Sequence, residues 1–176
     1  MRARQTLPML WLLSDQRNDA MLEGALARLP RGSGFVFRHY HLDDAPRRSR
    51  FDRLALVARS FDHVVIVSGS LGGRWEADGF YGSASTLGGV PASALRLATA
   101  HDAAEIAAAD HIGAHGVFLS PVFPTRSHPG AETLGADGFR QLAALSKAPV
   151  IALGGMNAAR AEELGWPRWA AIDALS

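Results

Sequence analysis

The segment from Ser120 to Gly130, SPVFPTRSHPG, has the densest group of side chains that could bind an anion. Thr125, Arg126, Ser127 and His128 follow one another between two prolines, which stiffen the backbone around them. An arginine offers a fork of N–H donors to a phosphate, and hydroxyl groups can donate to the remaining oxygens. The spacing therefore predicts an anion-binding loop, and a solvated turn of ordinary polar residues is the alternative.

A second candidate for phosphate binding is the sequence GGMN, Gly154 to Asn157, which directly follows the apolar run VIAL. Adjacent glycines let backbone N–H groups approach a phosphate closely at the start of a helix. A tight strand-to-helix turn without a ligand is the alternative reading of the same residues.

The composition excludes several kinds of chemistry. The chain has no cysteine, which removes disulfides, thiolate nucleophiles and thiolate metal ligands. Lys147 is its single lysine and lies in a polar segment after a helix-like stretch, so Schiff-base catalysis has almost no candidate. The formal net charge of +1 indicates neither a nucleic-acid-binding surface nor a polybasic membrane patch. We therefore expect small-molecule partners, with no nucleic acid and no membrane.

Eight short apolar runs alternate with stretches in which apolar residues recur every three or four positions. The predicted strands are Met9–Leu13, Phe35–Arg38, His63–Val67, a weak one near Phe80, Leu95–Ala100, Gly116–Ser120, Val150–Leu153 and Ala170–Ile172. The predicted helices are Ala20–Arg28, Phe51–Ser60, Asp102–Asp110, Gly138–Ser146 and Ala158–Leu164. Runs such as HVVIV and PVIAL are continuously apolar, as buried parallel strands are.

Eight such units favour a closed (β/α)₈ TIM barrel over an open doubly wound sheet. Dividing 176 residues by eight gives 22 per unit, whereas whole barrels typically have about 250 residues. We therefore predict one α/β domain over residues 1–176, a compact barrel with shortened helices and a missing or truncated last helix. The Gly- and Ser-rich region from Leu71 to Ser93 is its weakest unit.

Functional residues of a TIM barrel follow the strands, at their carboxyl ends. This rule places Arg38 after the second strand, and Thr99 and His101 after the fifth. We expect His101 to cap or pack at the start of the next helix. The loop from Ser120 follows the sixth strand, and the two glycines follow the seventh.

Two segments of the chain resemble a known family. GVFLSPVFPTRSHPG and LGADGFRQLAALSKAPVIALGGMNAARAEEL are similar to the thiamine phosphate synthase and TenI family, and the likeness is most specific from Arg96 to Leu164. WLLSDQR also resembles the family's first strand. The resemblance implies a compact (β/α)₈ barrel of thiamine biosynthesis. Synthases of the family join a pyrimidine pyrophosphate to a thiazole phosphate and release pyrophosphate with the help of magnesium.

The resemblance also implies site residues. The thiazole-phosphate contacts correspond to the T-x-T positions Thr125, Arg126 and Ser127 and to the GG turn at Gly154 and Gly155. Three further substrate-binding positions are predicted: Thr99, Ile172 and Asp173, the last a negative charge beside the expected phosphate.

The family's pyrophosphate signature Q-x-R-x-K corresponds to Val36–Tyr40 and keeps only Arg38. The lysine that follows T-x-T is replaced by His128. Arg38 and His128 are the predicted catalytic residues.

Magnesium is implied by the resemblance, but its expected carboxylate ligands are absent. The family's Asn-Asp pair corresponds to Ser68 and Gly69, and the second aspartate falls near Ser85. Magnesium is normally bound through one or two carboxylates together with phosphate oxygens and water. We therefore assign no metal ligand, although three other aspartates could replace the missing ones: Asp43, Asp44 and Asp78.

Three functions remain open. The first is a thiamine phosphate synthase-like transferase. The second is a degenerate TenI-like barrel that binds a thiazole or thiamine phosphate without synthase activity; the catalytic His of the TenI branch is replaced by Pro121. The third is an unrelated barrel enzyme with a phosphorylated substrate. The amino-terminal residues lack a small-residue cleavage site and an apolar run of membrane length, so we expect a cytoplasmic protein that could form a homo-oligomer.

Overall fold

Eight parallel strands pair in chain order and close into a barrel, which confirms the predicted (β/α)₈ class. The structure is a computed structural model that describes residues 6–69, 75–127 and 129–176. The strands are β1 (Leu10–Leu13), β2 (Gly34–Phe37), β3 (Val64–Ser68), β4 (Gly79–Gly82), β5 (Leu95–Ala100), β6 (Gly116–Leu119), β7 (Val150–Ala152) and β8 (Trp169–Ala171). The strands predicted from apolar runs lie within one or two residues of these.

Short helices cover the outside of the barrel. They are α1 (Leu22–Arg28), α2 (Asp44–Ser60), α3 (Ala84–Leu87), α4 (Ala103–His111), α5 (Gly135–Ala143) and α6 (Ala158–Leu164), with 3₁₀ helices at Gln16–Met21 and Asp173–Leu175. The helix α2 begins seven residues before its predicted start. The sequence DDAPRRSR lacks an apolar period, but Pro46 lies in the first helical turn, where its missing N–H has no intrahelical partner to lose.

The weak unit around residues 71–93 has a strand, β4, and a helix of only four residues, α3. Residues 70–74 of this unit lie outside the described part. After β8 the described residues form a 3₁₀ turn at Asp173–Leu175. Within the described ranges, we find no helix with the length and apolar character needed to cross a membrane.

The barrel interior is filled by large side chains that alternate with small ones. The indole of Trp11 is fully buried, and its ring packs edge-on against Phe118 at 5.6 Å between centroids. It fits because Gly34 lies opposite on β2, where a Cβ atom would come within 2.1 Å of the indole. Tyr81 packs on the other side of Phe118 at 5.1 Å. These three aromatic residues belong to one buried cluster that fills the barrel interior at this level.

Candidate functional site

The floor of the site is formed by seven residues, one at or just after the carboxyl end of each of seven strands. Successive side chains of a strand point to opposite sides, so the second residue after an interior residue points inward again. The interior residues are Val36, Ile66, Tyr81, Leu97, Phe118, Ile151 and Ala170. The positions two residues further along are Arg38, Ser68, Ser83, Thr99, Ser120, Leu153 and Ile172, and all seven line one cavity. Four of these seven residues carry hydroxyl groups, namely Ser68, Ser83, Thr99 and Ser120, so the barrel lining becomes more polar where the barrel opens.

This cavity has a volume of about 710 Å³, enough for a small phosphorylated molecule. The predicted site residues Arg38, Thr99, Thr125, Arg126, Ser127, Gly154, Gly155, Ile172 and Asp173 all lie on its wall. The structure thus brings nine sequence-predicted residues together, while their roles toward a ligand stay predictions. His128 lies outside the described residues.

The loop after β6 and the glycine turn after β7 form one continuous wall. Val122 N–H donates to the Leu153 carbonyl at 2.9 Å, and Phe123 N–H donates to the Gly154 carbonyl at 3.1 Å. Gly154 has a φ of +97°, and a Cβ atom there would lie 2.7 Å from the Pro121 Cα. The two segments therefore approach so closely that only glycine fits.

The two glycines also leave backbone donors for a ligand. Among the described residues, no protein acceptor is hydrogen-bonded to the N–H of Gly154 or Gly155. The Thr125 hydroxyl accepts a hydrogen bond from the Ser127 N–H at 3.3 Å, which curls the loop beside them. Successive N–H groups and hydroxyls on a concave surface are a typical anion-binding arrangement.

Arg17, which we did not predict, balances the negative charge of Asp173. Its guanidinium lies 3.6 Å from the Asp173 carboxylate and also donates to the Ser127 hydroxyl at 2.9 Å. A third partner is Asp15, at 2.9 Å. Arg17 therefore connects the loops after β1, β6 and β8, and Asp173 faces the cavity as a paired carboxylate.

Arg38 is held on the opposite wall by the loop after β1. Its backbone N–H donates to the Ser14 hydroxyl at 2.8 Å, and its Nε donates to the Ser14 carbonyl at 3.0 Å. The guanidinium also lies 3.3 Å from Asp15. Burial raises the pKa of Asp15, but hydrogen bonds from Arg17 and the charges of Arg17 and Arg38 outweigh it and hold that pKa below its usual range. Asp15 is therefore an ionised partner for both arginines.

Two tyrosines and a serine line the cavity wall near Arg38. Tyr40, at the last position of the Q-x-R-x-K signature, is 65% exposed, and its hydroxyl is hydrogen-bonded to Ser68. Tyr81 lies deeper, and burial raises its pKa to about 12. A tyrosine with that pKa stays protonated near neutral pH, where it can donate a hydrogen bond to a ligand oxygen.

The donor set does not fit a magnesium site of the kind the resemblance implies. Among the described residues, no group of three or more His, Asp or Glu side chains could hold a metal ion. The cavity wall contains two carboxylates, Glu132 and Asp173, and Asp173 is paired with Arg17. Asp78 accepts from the Val65 N–H at 2.8 Å just before β4, at the opposite end of the barrel from the cavity. Asp43 and Asp44 are exposed at the start of α2.

The structure also shows where His101 and Lys147 lie relative to the cavity. His101 lines the cavity but is bonded to Glu105 at the start of α4, through both its N–H and its ring at 2.7 and 2.8 Å. Lys147, the single lysine of the chain, is exposed just before β7, at the amino end of the barrel. A lysine at that end cannot reach a substrate in the cavity.

Comparison with known proteins places this site in a family. The family model of thiamine monophosphate synthase matches residues 11–173, from β1 to the turn after β8. The chain belongs to this family. The family is named for the synthesis of thiamine monophosphate, a step of thiamine biosynthesis.

One relative is similar to this protein over part of the chain. A segment of 71 residues is 41% identical to a probable chloroplastic thiamine biosynthetic bifunctional enzyme of Oryza sativa subsp. japonica. That match covers 39% of this chain and 12% of the rice enzyme, so the chain spans about an eighth of that relative's length.

Solved structures support the fold. The thiamine phosphate pyrophosphorylase of Pyrococcus furiosus is similar with a TM-score of 0.79 and 22% identity, over 97% of this chain and 88% of that one. The YdjI aldolase of Escherichia coli has a TM-score of 0.63 and 9% identity, over 94% of this chain and 75% of that one. At these identities the likeness shows a shared barrel architecture.

Proposed function

We propose that this chain is a thiamine phosphate synthase-like transferase, which joins a hydroxymethylpyrimidine pyrophosphate to a thiazole phosphate and releases pyrophosphate. The observation that carries the proposal is that one cavity is lined both by the family's T-x-T loop and GG turn and by the retained Arg38. One wall would hold the thiazole phosphate, and the other would receive the pyrimidine pyrophosphate.

On the first wall, the N–H groups of Gly154 and Gly155 and the hydroxyls of Thr125 and Ser127 would donate to the thiazole phosphate. Arg126, exposed on the same loop, would add its charge. Thr99 and Ile172 line the floor between the walls, where the heterocyclic rings would lie.

On the second wall, Arg38 would meet the charge that develops during the reaction. A bond forms between the two heterocycles while the bond from the pyrimidine portion to pyrophosphate breaks, so negative charge builds on the leaving group. Fixed donors aimed at that charge lower the barrier. Tyr81, as a neutral donor, and the hydroxyls of Tyr40 and Ser68 lie on the same side. The described residues offer no suitable ligand set for magnesium.

The types of side chain on the cavity wall favour a second function. Arginine and hydroxyl groups, with no set of carboxylates among the described residues that could hold a metal ion, suit binding of a phosphate better than metal-assisted release of pyrophosphate. A barrel that binds thiazole or thiamine phosphate without joining substrates is therefore the alternative.

One assay separates the two functions. The purified chain is mixed with both substrates, with and without magnesium, and thiamine phosphate and pyrophosphate are quantified while calorimetry measures binding of thiazole phosphate. Product formation that Arg38→Ala abolishes and Arg140→Ala leaves unchanged supports the transferase. Arg140 does not line the cavity and is bonded to Asp137 and to the Leu164 carbonyl. Binding without product supports the alternative, and absence of both overturns the two proposals.

Rescue of a thiamine-requiring bacterial strain that lacks its synthase gives an independent readout. Growth without thiamine is expected for the transferase. Failure of the expressed, folded chain to rescue growth would contradict it.

A further inference from the structure

A chain of hydrogen bonds runs from the surface of the barrel to the backbone of Arg38. The Ser14 hydroxyl lies 2.8 Å from His39 Nδ1, and His39 Nε2 lies 2.8 Å from the Asp19 carboxylate. Ser14 also accepts the Arg38 N–H at 2.8 Å. We call Asp19, His39 and Ser14 the relay. Ser14 lies in the segment WLLSDQR and His39 beside Arg38, but neither residue, nor Asp19, was predicted as a site residue.

The direction of every bond in the relay follows from its charged end. Burial raises the pKa of Asp19, but hydrogen bonds from His39 and Arg50 outweigh it and hold that pKa below its usual range, so Asp19 is an ionised acceptor. His39 then donates from Nε2, and its neutral ring accepts at Nδ1 from the Ser14 hydroxyl. The Ser14 oxygen keeps a lone pair for the Arg38 N–H. One tautomer of one histidine therefore satisfies all three bonds.

His39 is held in this place from several sides. Its side chain is fully buried and its ring is stacked on Phe37, with centroids 4.6 Å apart and planes 7° from parallel. Its φ of +30° is in the left-handed region, which is uncommon for a residue other than glycine. Such backbone angles persist where the surroundings fix them and are concentrated at functional sites.

The relay has the same residue types as a nucleophilic Ser-His-Asp triad, but its serine is not accessible to a substrate in the cavity. Ser14 is fully buried and does not line the cavity. Its oxygen already accepts the Arg38 N–H, and the imidazole faces it with Nδ1 rather than with Nε2 as in the serine protease triad. Ser14 therefore cannot reach a substrate, and its contacts lead to Arg38.

We propose that Asp19, His39 and Ser14 are positioning residues that orient Arg38 toward an anionic group in the cavity. This role rests on the proposed function, in which Arg38 receives the pyrophosphate. Ser14 fixes both the Arg38 N–H and its Nε, and Ser14 is itself fixed to β2 because its N–H donates to the Val36 carbonyl at 2.9 Å. A shift of the relay therefore moves the arginine that lines the cavity.

The groups that face His39 keep its ring neutral. Burial lowers its pKa, and the nearby charges of His41 and Arg50 act in the same direction, whereas Asp19 opposes them. Protonation would place a donor against Ser14, whose hydroxyl hydrogen would then lose its acceptor.

Calorimetry with inorganic pyrophosphate tests the proposal on the full chain. Ser14→Ala is expected to weaken binding roughly three- to tenfold, since one hydrogen bond is lost from the support of Arg38. In an Arg38→Ala background the same substitution is expected to change nothing. An equal loss in both backgrounds, or no loss in either, would overturn the relay.

A matched pair at the surface end of the relay avoids the buried position. Asp19→Asn keeps an oxygen that accepts from His39 Nε2 and is expected to retain most of the affinity, whereas Asp19→Ala is expected to lower it as Ser14→Ala does. Identical affinities for these two variants would contradict the proposal.

NMR gives a readout that does not depend on the proposed function. At pH about 6.5, the usual histidine pKa, the His39 ring nitrogens are expected to report mainly the neutral Nε2–H tautomer, whereas an unperturbed ring would be half protonated. The Arg38 amide resonance is expected to move upfield in Ser14→Ala, and an unchanged resonance would overturn the relay. Absence of pyrophosphate binding by the wild-type chain, with both NMR signatures present, would overturn the proposed function but not the hydrogen-bond arrangement.

Discussion

Two glycines with nearly the same backbone angle have different surroundings. Gly155 has a φ of +63° and Gly165 a φ of +64°, both in the left-handed region that residues other than glycine adopt uncommonly. A Cβ atom at Gly155 would lie 2.4 Å from the Pro124 carbonyl, whereas one at Gly165 would have no neighbour within 4 Å. Only the first of the two glycines is therefore required by the site itself.

We predict that Gly155→Ala weakens binding of thiazole phosphate at least tenfold and destabilises the fold by about 2–3 kcal/mol. The added methyl group must displace the loop that carries Thr125 and Ser127. Calorimetry and thermal unfolding measure the two effects. Gly165→Ala is the control, with a loss of about 1 kcal/mol from the backbone angle alone and unchanged affinity. Equal affinities for the two variants would contradict the assignment of the GG turn to the phosphate.

At the scale of elements, Arg50 ties α2 to the first unit of the barrel. Its guanidinium donates to the Asp19 carboxylate at 2.7 Å and to Glu23 of α1, while only 16% of the arginine side chain is exposed. The hydrogen bond from Arg50 lowers the pKa of Glu23. The pKa of Asp19 is lowered too, against its partial burial, by bonds from His39 and Arg50.

We predict that Arg50→Met lowers the free energy of unfolding by roughly 1–2 kcal/mol at pH 7, a value that allows for the partial exposure of both carboxylates. A lowered carboxyl pKa contributes stability that is present above the unfolded-state value near 4 and is lost as pH falls through the folded-state value. The difference between wild type and variant should therefore shrink as pH falls below about 4. Urea unfolding at several pH values measures it.

The control for this prediction is Arg48→Met. Arg48 pairs with Asp52 on the exposed surface of the same helix, where such a pair contributes about 0.3–0.5 kcal/mol. A pH-independent effect of Arg50→Met, or one as small as that of the control, would show that α2 is held by apolar packing alone.

Much of the fold could be read from the sequence because buried parallel strands are continuous apolar runs. The run HVVIV predicted β3, and counting two residues on from Leu97 reaches the predicted Thr99, as counting on from Ile66 reaches Ser68 on the cavity floor. The start of α2 could not be read, because its first two turns are polar and the helix is stabilised there by Arg50 and its neighbours.

The residues that hold the site in place were harder to predict than the residues that line the cavity. Arg17 and Ser127 are 110 residues apart and meet only because the closed barrel brings the first and sixth loops together. The bond between His39 and Asp19 depends on a left-handed backbone angle at a residue other than glycine, for which the sequence has no signal. Tyr81 was missed because β4 is short and flanked by glycines, which masks its apolar pattern.

At the scale of the whole molecule, closure of the barrel depends on the seam between its first and last strands. β8 pairs with β1 at three residue positions but with β7 at only one, so its place in the sheet is set mainly by β1. Asn18 lies at the carboxyl end of this seam and is almost fully buried. Its amide group donates to the Leu13 and Ile172 carbonyls, both at 3.1 Å, and to the Ser176 hydroxyl at 2.9 Å.

We predict that Asn18→Ala lowers the free energy of unfolding by about 2–3 kcal/mol, because buried carbonyls on both sides of the seam lose their donor. For a domain of this size the melting temperature should fall by roughly 5–10 °C, in a single transition by near- and far-ultraviolet circular dichroism.

Asn157→Ala, which removes one capping bond of α6, is the control and should cost about 1 kcal/mol. Asn18→Asp should be at least as harmful as Asn18→Ala, since it puts an acceptor against two carbonyl oxygens. If Asn18→Ala costs no more than the control, the seam is held by its strand pairing and Asn18 does not close the barrel.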